Sequence, residues 1–381
     1  MSVARTGGAG ARPRAAADKA GAMYGARGGA AGGAGRAAGG RAGRAARPAP
    51  RAHAEEEDKV GEEEATTEWV ELKDTFVTYS NLPPMEFERA RVAAHSKIGR
   101  RKYQEDRFVV CPRLLGRDDL QFYGVFDGTV GDFTSDYVHT TILLNCVRSL
   151  PFRTAISAPP EEFLSAANLA YFEAAMRETY RKTDEDLLAQ CREHRINYSA
   201  STSVTALLTG NVLTVGHLAD SRIVLGREEG GRMRGIMLTH DHKPDQREEL
   251  ARIEAAGGSL TYLHGGKPFI RGGDFVERQA RGDRPMQLNY SRAFGAKDLK
   301  CYGLSNIPDV AQIHLTDADK LIVLGSDGIW DVVDADTAVR RAWEVMRAGG
   351  DPSQDLVDFA LHEHDRKGSI DNVTALCIFF K

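Results

Sequence analysis

The sequence predicts an α+β fold, and three observations carry that expectation. Strand-like segments gather in one block and helix-like segments in others, without strand–helix alternation along the chain. Phe122-Tyr-Gly-Val-Phe126 is an apolar run that stops abruptly at Asp127-Gly128, as a buried strand does when it ends in a tight turn. Leu321–Leu324 stops in the same way, just before Asp327-Gly328.

Taken in order, residues 1 to about 50 are Ala, Gly and Arg with three prolines and few large apolar groups. Such a segment cannot bury enough surface to offset the entropy of ordering, so residues 1–65 are expected to be a disordered basic tail followed by an acidic linker. The linker carries Glu55-Glu-Glu-Asp58 and Glu62-Glu-Glu64. Residues 66–381 are expected to form one folded domain. Trp69, Val70, Leu72, Phe76 and Tyr79 read as an outlying strand or a docking segment. Phe108–Cys111 and Gln121–Phe126 read as strands, and Phe133–Leu150 as a helix that stops at Pro151. Glu161 to about Arg195 is charged and periodic, one long helix. A β-rich block follows: Ser203–Leu208, Val212–Leu218 and Arg222–Leu225, with Gly210-Asn211 as a hairpin turn. Met237–Thr239 adds a short strand, and Glu248–Ala256 a helix ended by Gly257-Gly258. Residues 259–287 hold five glycines and little period, which predicts a surface excursion. Leu321–Leu324 is a strand, Ala335–Ala348 and Pro352–Arg366 are helices, and Val373–Phe380 closes the chain as a strand.

Charge divides the chain. The first fifty residues carry eight Arg and one Lys against the single acid Asp18, a net +8; taking that from the formal −4 leaves −12 on residues 51–381. An acidic fold argues against nucleic acid as its partner, although metal ions could still invert the local charge for a phosphorylated ligand. The five cysteines form no C-x-x-C pair and are odd in number, which points to a reducing compartment. No run of eighteen apolar residues predicts a membrane span. The tail has the Arg content of an organelle transit peptide but only one serine, Ser2, so cytoplasm or nucleus is expected rather than import.

The acids fall where chemistry needs them. Asp127 and Asp327 follow apolar strands, Asp371 precedes the closing strand, Asp220 follows Val212–Leu218, and Glu105-Asp106 precedes the Phe108 strand. A carboxylate at such a position is rigid yet open on one side, and Gly128 lets the backbone approach whatever it holds. Each acid alone could simply form a turn. If the strands share one core, however, their ends converge and the clustered carboxylates need cations; hard oxygen donors suit Mg²⁺ or Mn²⁺.

Residues 100–381 resemble the metal-dependent protein phosphatases of the type 2C family. Arg101-Lys-Tyr-Gln-Glu-Asp106 is similar to the family's opening R-x-x-x-E-D motif, and Asp127-Gly128 to the D-G of D-G-H-G-G. Ser201-Thr202, Ala219-Asp-Ser-Arg222, Thr239-His-Asp-His-Lys-Pro244, Ser291-Arg-Ala-Phe-Gly295, Ser326-Asp-Gly-Ile-Trp-Asp331 and Asp371-Asn372 follow in family order. The resemblance implies a β-sandwich of two antiparallel sheets flanked by helices on both faces, a four-layer αββα arrangement. It implies two Mn²⁺ or Mg²⁺ ions at one end: Asp127 bridging both, the Gly128 carbonyl on one, Asp327 and Asp371 on the other, with Glu105 and Asp106 orienting the water held there. Asp220 and Asp331 match a weaker third site shared with Asp327, and Arg101 matches the arginine that grips the substrate phosphate. A monomeric serine/threonine phosphatase acting on phosphoproteins is therefore expected.

The pattern breaks at two places. Thr129 stands where the family has the His that is thought to protonate the leaving oxygen, and Val130 replaces a Gly. Losing a general acid typically costs about 10²–10⁴-fold. Ala296 stands where the family usually has an Asp after S-R-A-L-G. These losses motivate the alternative of a weak or inactive pseudophosphatase that binds phosphoproteins or a partner. His217, His240 and His242 could substitute for the missing imidazole but read more simply as structural. A two-metal nuclease shares the metal logic but not the acidic fold. The excursion at 259–287 lies where the family has a flap over the site.

Overall fold

The computed structural model describes residues 75–381, so the expectations for the basic tail, the acidic linker and Trp69–Leu72 lie outside the described residues. Two six-stranded antiparallel sheets form its centre. The first runs in the order Phe76–Thr78, Arg107–Arg113, Leu120–Phe126, Ser203–Thr209, Val212–Leu218, Asp309–His314. The second runs Arg232–Met237, Arg222–Glu229, Asp319–Gly325, Val373–Phe380, Ala90–Lys97, Leu82–Glu86.

Three apolar layers explain the stack. Tyr123, Val125 and Val204 of the first sheet meet Val92, Ile322, Leu324 and Leu376 of the second. On the outer face of the first sheet Phe122, Phe126 and Leu207 pack against Ile142, Phe172 and Met176 of two helices. On the outer face of the second, Val323, Ala375 and Cys377 pack against Val339, Ala342 and Val357 of two others. With helices on both outsides, neither face of a central strand meets water. Hence Leu120–Phe126, Ser203–Thr209 and Val212–Leu218 are buried throughout, on both faces rather than on alternate residues. The expected four-layer αββα sandwich is the observed one.

Several boundaries differ from the sequence reading. Pro151 does not end a helix. The first helix, Phe133–Arg148, stops at Ser149, whose hydroxyl accepts from Phe152 N, and Pro151 sits in the opening turn of a second helix, Leu150–Ile156. The long helix starts at Ala166, capped by Ser165, because Pro159 and Pro160 precede it; it ends at Glu193. The strand expected at Met237–Thr239 is instead Arg232–Met237, the return of a hairpin with Arg222–Glu229. Leu82–Glu86, Ala90–Lys97 and Asp309–His314 are strands that went unread. The first contains Pro83-Pro84 and is confined to a sheet edge, the second is rich in Ala, and the third is a half-exposed edge. The excursion at 259–287 has its own order: a hairpin, Ser259–Leu263 with Lys267–Arg271, then a helix, Phe275–Ala280.

Candidate active site

Register brings the acids together. Arg107 pairs with Phe126 and Ser203 with Leu218, so Asp106, Asp127 and Asp220 leave the first sheet at one end. Arg222 pairs with Gly325, and Gly325 with Ala375, so Asp327 and Asp371 leave the second sheet at its corresponding edge. Side chains stitch the two ends. Asp106 Oδ2 accepts from Ser326 Oγ at 2.8 Å and Thr374 Oγ1 at 2.7 Å. Asn372 Oδ1 accepts from Glu105 N at 2.9 Å, while its amide donates to the carbonyls of Ile98 and Tyr103. Thr202 exchanges bonds with the Asp127 backbone, its Oγ1 accepting from Asp127 N at 3.0 Å and its N–H donating to Asp127 O at 2.9 Å.

The carboxylates strain against one another. Burial drives the pKa of Asp127 well above the usual range, and Asp327, Asp106 and Asp371 add to it. Burial does the same to Asp327, with Asp371, Asp220 and Asp331 contributing. Asp106 is pushed up to about 6 by burial, and its Oδ1 is buried without a hydrogen-bond partner. Burial also raises Glu105, whose Oε1 accepts from Gly131 N at 2.6 Å, and Asp371, despite the Arg101 guanidinium beside it. Removing several carboxylates from water side by side is unfavourable unless cations compensate them. A partnerless buried oxygen within an all-carboxylate donor set fits a hard divalent cation.

Close approach at two glycines sets the spacing. A Cβ on Gly128 would lie 2.6 Å from Glu105 O, and one on Gly328 only 1.9 Å from Asn372 O. Gly328 is held from its other side by His364, whose Nε2 bonds its carbonyl at 2.8 Å. Asp327-Gly328 and Asp371-Asn372 are thereby packed backbone to backbone.

The cations of the chain already lean on these acids. Arg101 Nη2 donates to Asp371 Oδ1 at 2.8 Å. The expected third-site residues Asp220, Asp327 and Asp331 line a cleft of about 230 Å³ together with Lys243 and Lys267. Lys243 Nζ donates to Asp220, and Lys267, from the 259–287 hairpin, lies 3.8 Å from Asp331.

The two departures have local answers. At Ala296, a buried residue at φ 46, its N–H donates to Ser199 O, and the neighbouring Gly295 N–H donates to Asp184 Oδ1 at 2.8 Å. A carboxylate thus serves this turn from the long helix. At Thr129, the hydrogen-bond partner of the hydroxyl is Tyr290, not one of the three histidines.

His217 and His242 stack with centroids 4.6 Å apart, and His217 Nε2 bonds His240 O at 2.9 Å. Burial, then His242, pushes His217 down to about 4. With Asp309 the pair offers three atoms within 4.8 Å, a spacing that could in principle hold a metal. The tautomer disfavours it. Ala219 N–H donates to His242 Nδ1, so the ring's own proton belongs on Nε2, 3.2 Å from Asp309 Oδ2. Arg292 also occupies Asp309 at 2.7 Å. This cluster is structural.

Sequence reading missed Ser326, Thr374 and Asn372 as the stitches, Asp184 as the distant support and Tyr290 as the partner of Thr129. Ser326 and Asn372 gave a signal, as the neighbours of Asp327 and Asp371 in the family-like segments.

Comparison with known proteins agrees with this fold. The family description Protein phosphatase 2C matches residues 90–373. An Arabidopsis thaliana relative, probable protein phosphatase 2C 69, is 30% identical over 285 residues, 75% of this chain and 68% of its own. A relative in Oryza sativa subsp. japonica, probable protein phosphatase 2C 56, is 28% identical over 286 residues, covering 74% of this chain and 68% of its own. Among solved structures, a serine-threonine phosphatase 2C from Toxoplasma gondii superposes with a TM-score of 0.77 at 42% identity, covering 80% of this chain and 99% of that one. By sequence and by fold, this chain belongs to the protein phosphatase 2C family of metal-dependent serine/threonine phosphatases.

Proposed function

We propose that this protein hydrolyses phosphoserine and phosphothreonine in protein substrates at the acidic end of the sandwich, with weakened assistance to the leaving group. The observation that carries the reading is the convergence of Asp127, Asp327, Asp371 and the adjacent pair Glu105 and Asp106 from four separate chain segments. In this reading Asp127, Asp327, Asp371 and the Gly128 carbonyl hold two Mn²⁺ or Mg²⁺ ions, with Glu105 and Asp106 completing the set, and Asp220 and Asp331 a weaker third site. When bound, such a pair lowers the pKa of water and neutralises charge on the phosphoryl oxygens. Arg101 exchanges its contact with Asp371 for the substrate phosphate, to which a guanidinium offers two parallel donors. Glu105 and Asp106 orient the attacking water, and Thr129 faces the leaving oxygen. Residues 66–381 act as one catalytic domain, with 259–287 as its flap.

The test is release of phosphate from phosphopeptides and from an aryl phosphate by purified protein with Mn²⁺. Activity that vanishes with chelator and in Asp327→Asn supports the reading. Calorimetric Mn²⁺ binding without turnover of either substrate would sink it in favour of the pseudophosphatase, which Thr129 motivates.

A further inference from the structure

The position that departs most from the family pattern is also the one with an unusual neighbour. Tyr290 is 3% exposed, and its phenol donates to Thr129 Oγ1 at 2.9 Å. Its ring belongs to an apolar cluster with Ala200, Ala219, Leu288 and Ala293. Its backbone is pinned on both sides: Leu288 pairs with Ile270 of the flap hairpin, and Ser291 N donates to His242 O at 2.9 Å. Thr129 is equally fixed, its backbone pairing with Ala200. The two hydroxyls are therefore held in register by rigid elements of different origin.

Counting protons gives the pair a direction. A phenol has one proton, and here Thr129 Oγ1 receives it. Burial, with Asp127 and Asp327 nearby, drives the Tyr290 pKa well above its usual value, so the phenol stays protonated and remains a donor. A threonine oxygen that accepts from Tyr290 turns its own O–H elsewhere. Thr129 is only partly buried and lies two residues past Asp127, so that elsewhere includes the mouth of the site.

We propose that Tyr290 orients the Thr129 hydroxyl as a fixed hydrogen-bond donor to the leaving-group oxygen, with Thr129 the catalytic residue and Tyr290 its positioning residue. The proposal rests on the phosphatase reading above. In the step it assists, oxygen from water forms the new bond to phosphorus as the bond to the serine or threonine oxygen breaks. The bonding electron pair goes to that oxygen, which the Thr129 O–H stabilises and which takes a proton from solvent, to which the attacking water gives up one of its own. Both protein hydroxyls keep their protons. Such a donor stabilises developing charge without a titrating acid, so it serves an alkyl leaving group, where charge builds up, and matters little to a phenolate one.

The experiment compares a phosphothreonine peptide with 4-nitrophenyl phosphate, both with Mn²⁺, in wild type, Tyr290→Phe, Thr129→Val and the double variant. Tyr290→Phe should lower kcat for the peptide about 10-fold, with KM within about twofold and aryl phosphate turnover reduced less than about threefold. Thr129→Val should lose more on the peptide, about 10²-fold, and Tyr290→Phe should add nothing in that background. Equal losses on both substrates, a loss confined to KM, or additive single effects would overturn the relay while leaving the phosphatase reading intact. If Tyr290→Phe melts far below wild type, the substrate contrast in Thr129→Val alone decides, because it leaves the buried ring untouched. Wild type inert toward both substrates would instead sink the enzymatic reading, and the relay with it.

Discussion

Glu249 carries the sharpest quantitative prediction. It is 3% exposed, and its carboxylate accepts from Arg252 at 3.0 and 2.6 Å and from Arg292 at 3.0 and 2.7 Å, with Ser291 Oγ as a further donor. Burial alone would raise its pKa, but the bonds from Arg252, Arg292 and Ser291 prevail and bring it from 4.5 down to about 2. A carboxylate whose pKa is depressed on folding adds stability above its unfolded pKa. That stability fades as the pH falls through 4.5 toward 2. At 1.36 kcal/mol per unit, the shift corresponds to about 3 kcal/mol at pH 7 and about 2 kcal/mol at pH 3.5. Glu249→Gln keeps the shape but cannot neutralise two guanidiniums. Urea unfolding followed by circular dichroism should place the variant about 3 kcal/mol below wild type at pH 7, with the gap narrowing by about 1 kcal/mol at pH 3.5. A gap that stays constant with pH, or one under about 1 kcal/mol at pH 7, would refute the reasoning, because the effect would then be packing rather than charge. Ser291 adjoins Tyr290, so the same variant should also loosen the Thr129 partner.

Two further substitutions probe the backbone of the site. Gly328→Ala drives a methyl to within 1.9 Å of Asn372 O, so the Asp327 and Asp371 segments must separate; stability should fall by about 3 kcal/mol or more and Mn²⁺ affinity by calorimetry at least about tenfold. Val130 sits at φ 59 and is 57% exposed, a strained conformation for a β-branched residue with little burial to lose. Val130→Gly should therefore raise stability by about 1 kcal/mol in the same urea experiment, and a loss would show that the strain is illusory.

Strands ending in acids were legible because an apolar run followed by Asp-Gly has few other uses. The block Ser203–Leu208 with Val212–Leu218 was legible because Gly210-Asn211 can close a two-residue turn. The edge strands Leu82–Glu86 and Asp309–His314 were not, since an edge tolerates Pro and half-exposed residues and leaves no periodic trace. The candidate site shows the same division: its acids stand out in the sequence, while the bonds that Thr202, Ser326 and Asn372 make to hold them do not.

By itself the sequence determined which residues carry charge and where each strand delivers it, because burial writes apolar runs into the chain and an acid at their end interrupts them. Only the tertiary structure decided that five such ends meet, that Arg101 leans on Asp371, and that a tyrosine 161 residues away in sequence stands over Thr129. The physical reason is that a hydrogen bond depends on distance and angle in space, and spacing along the chain records neither once two strands from different sheets face each other.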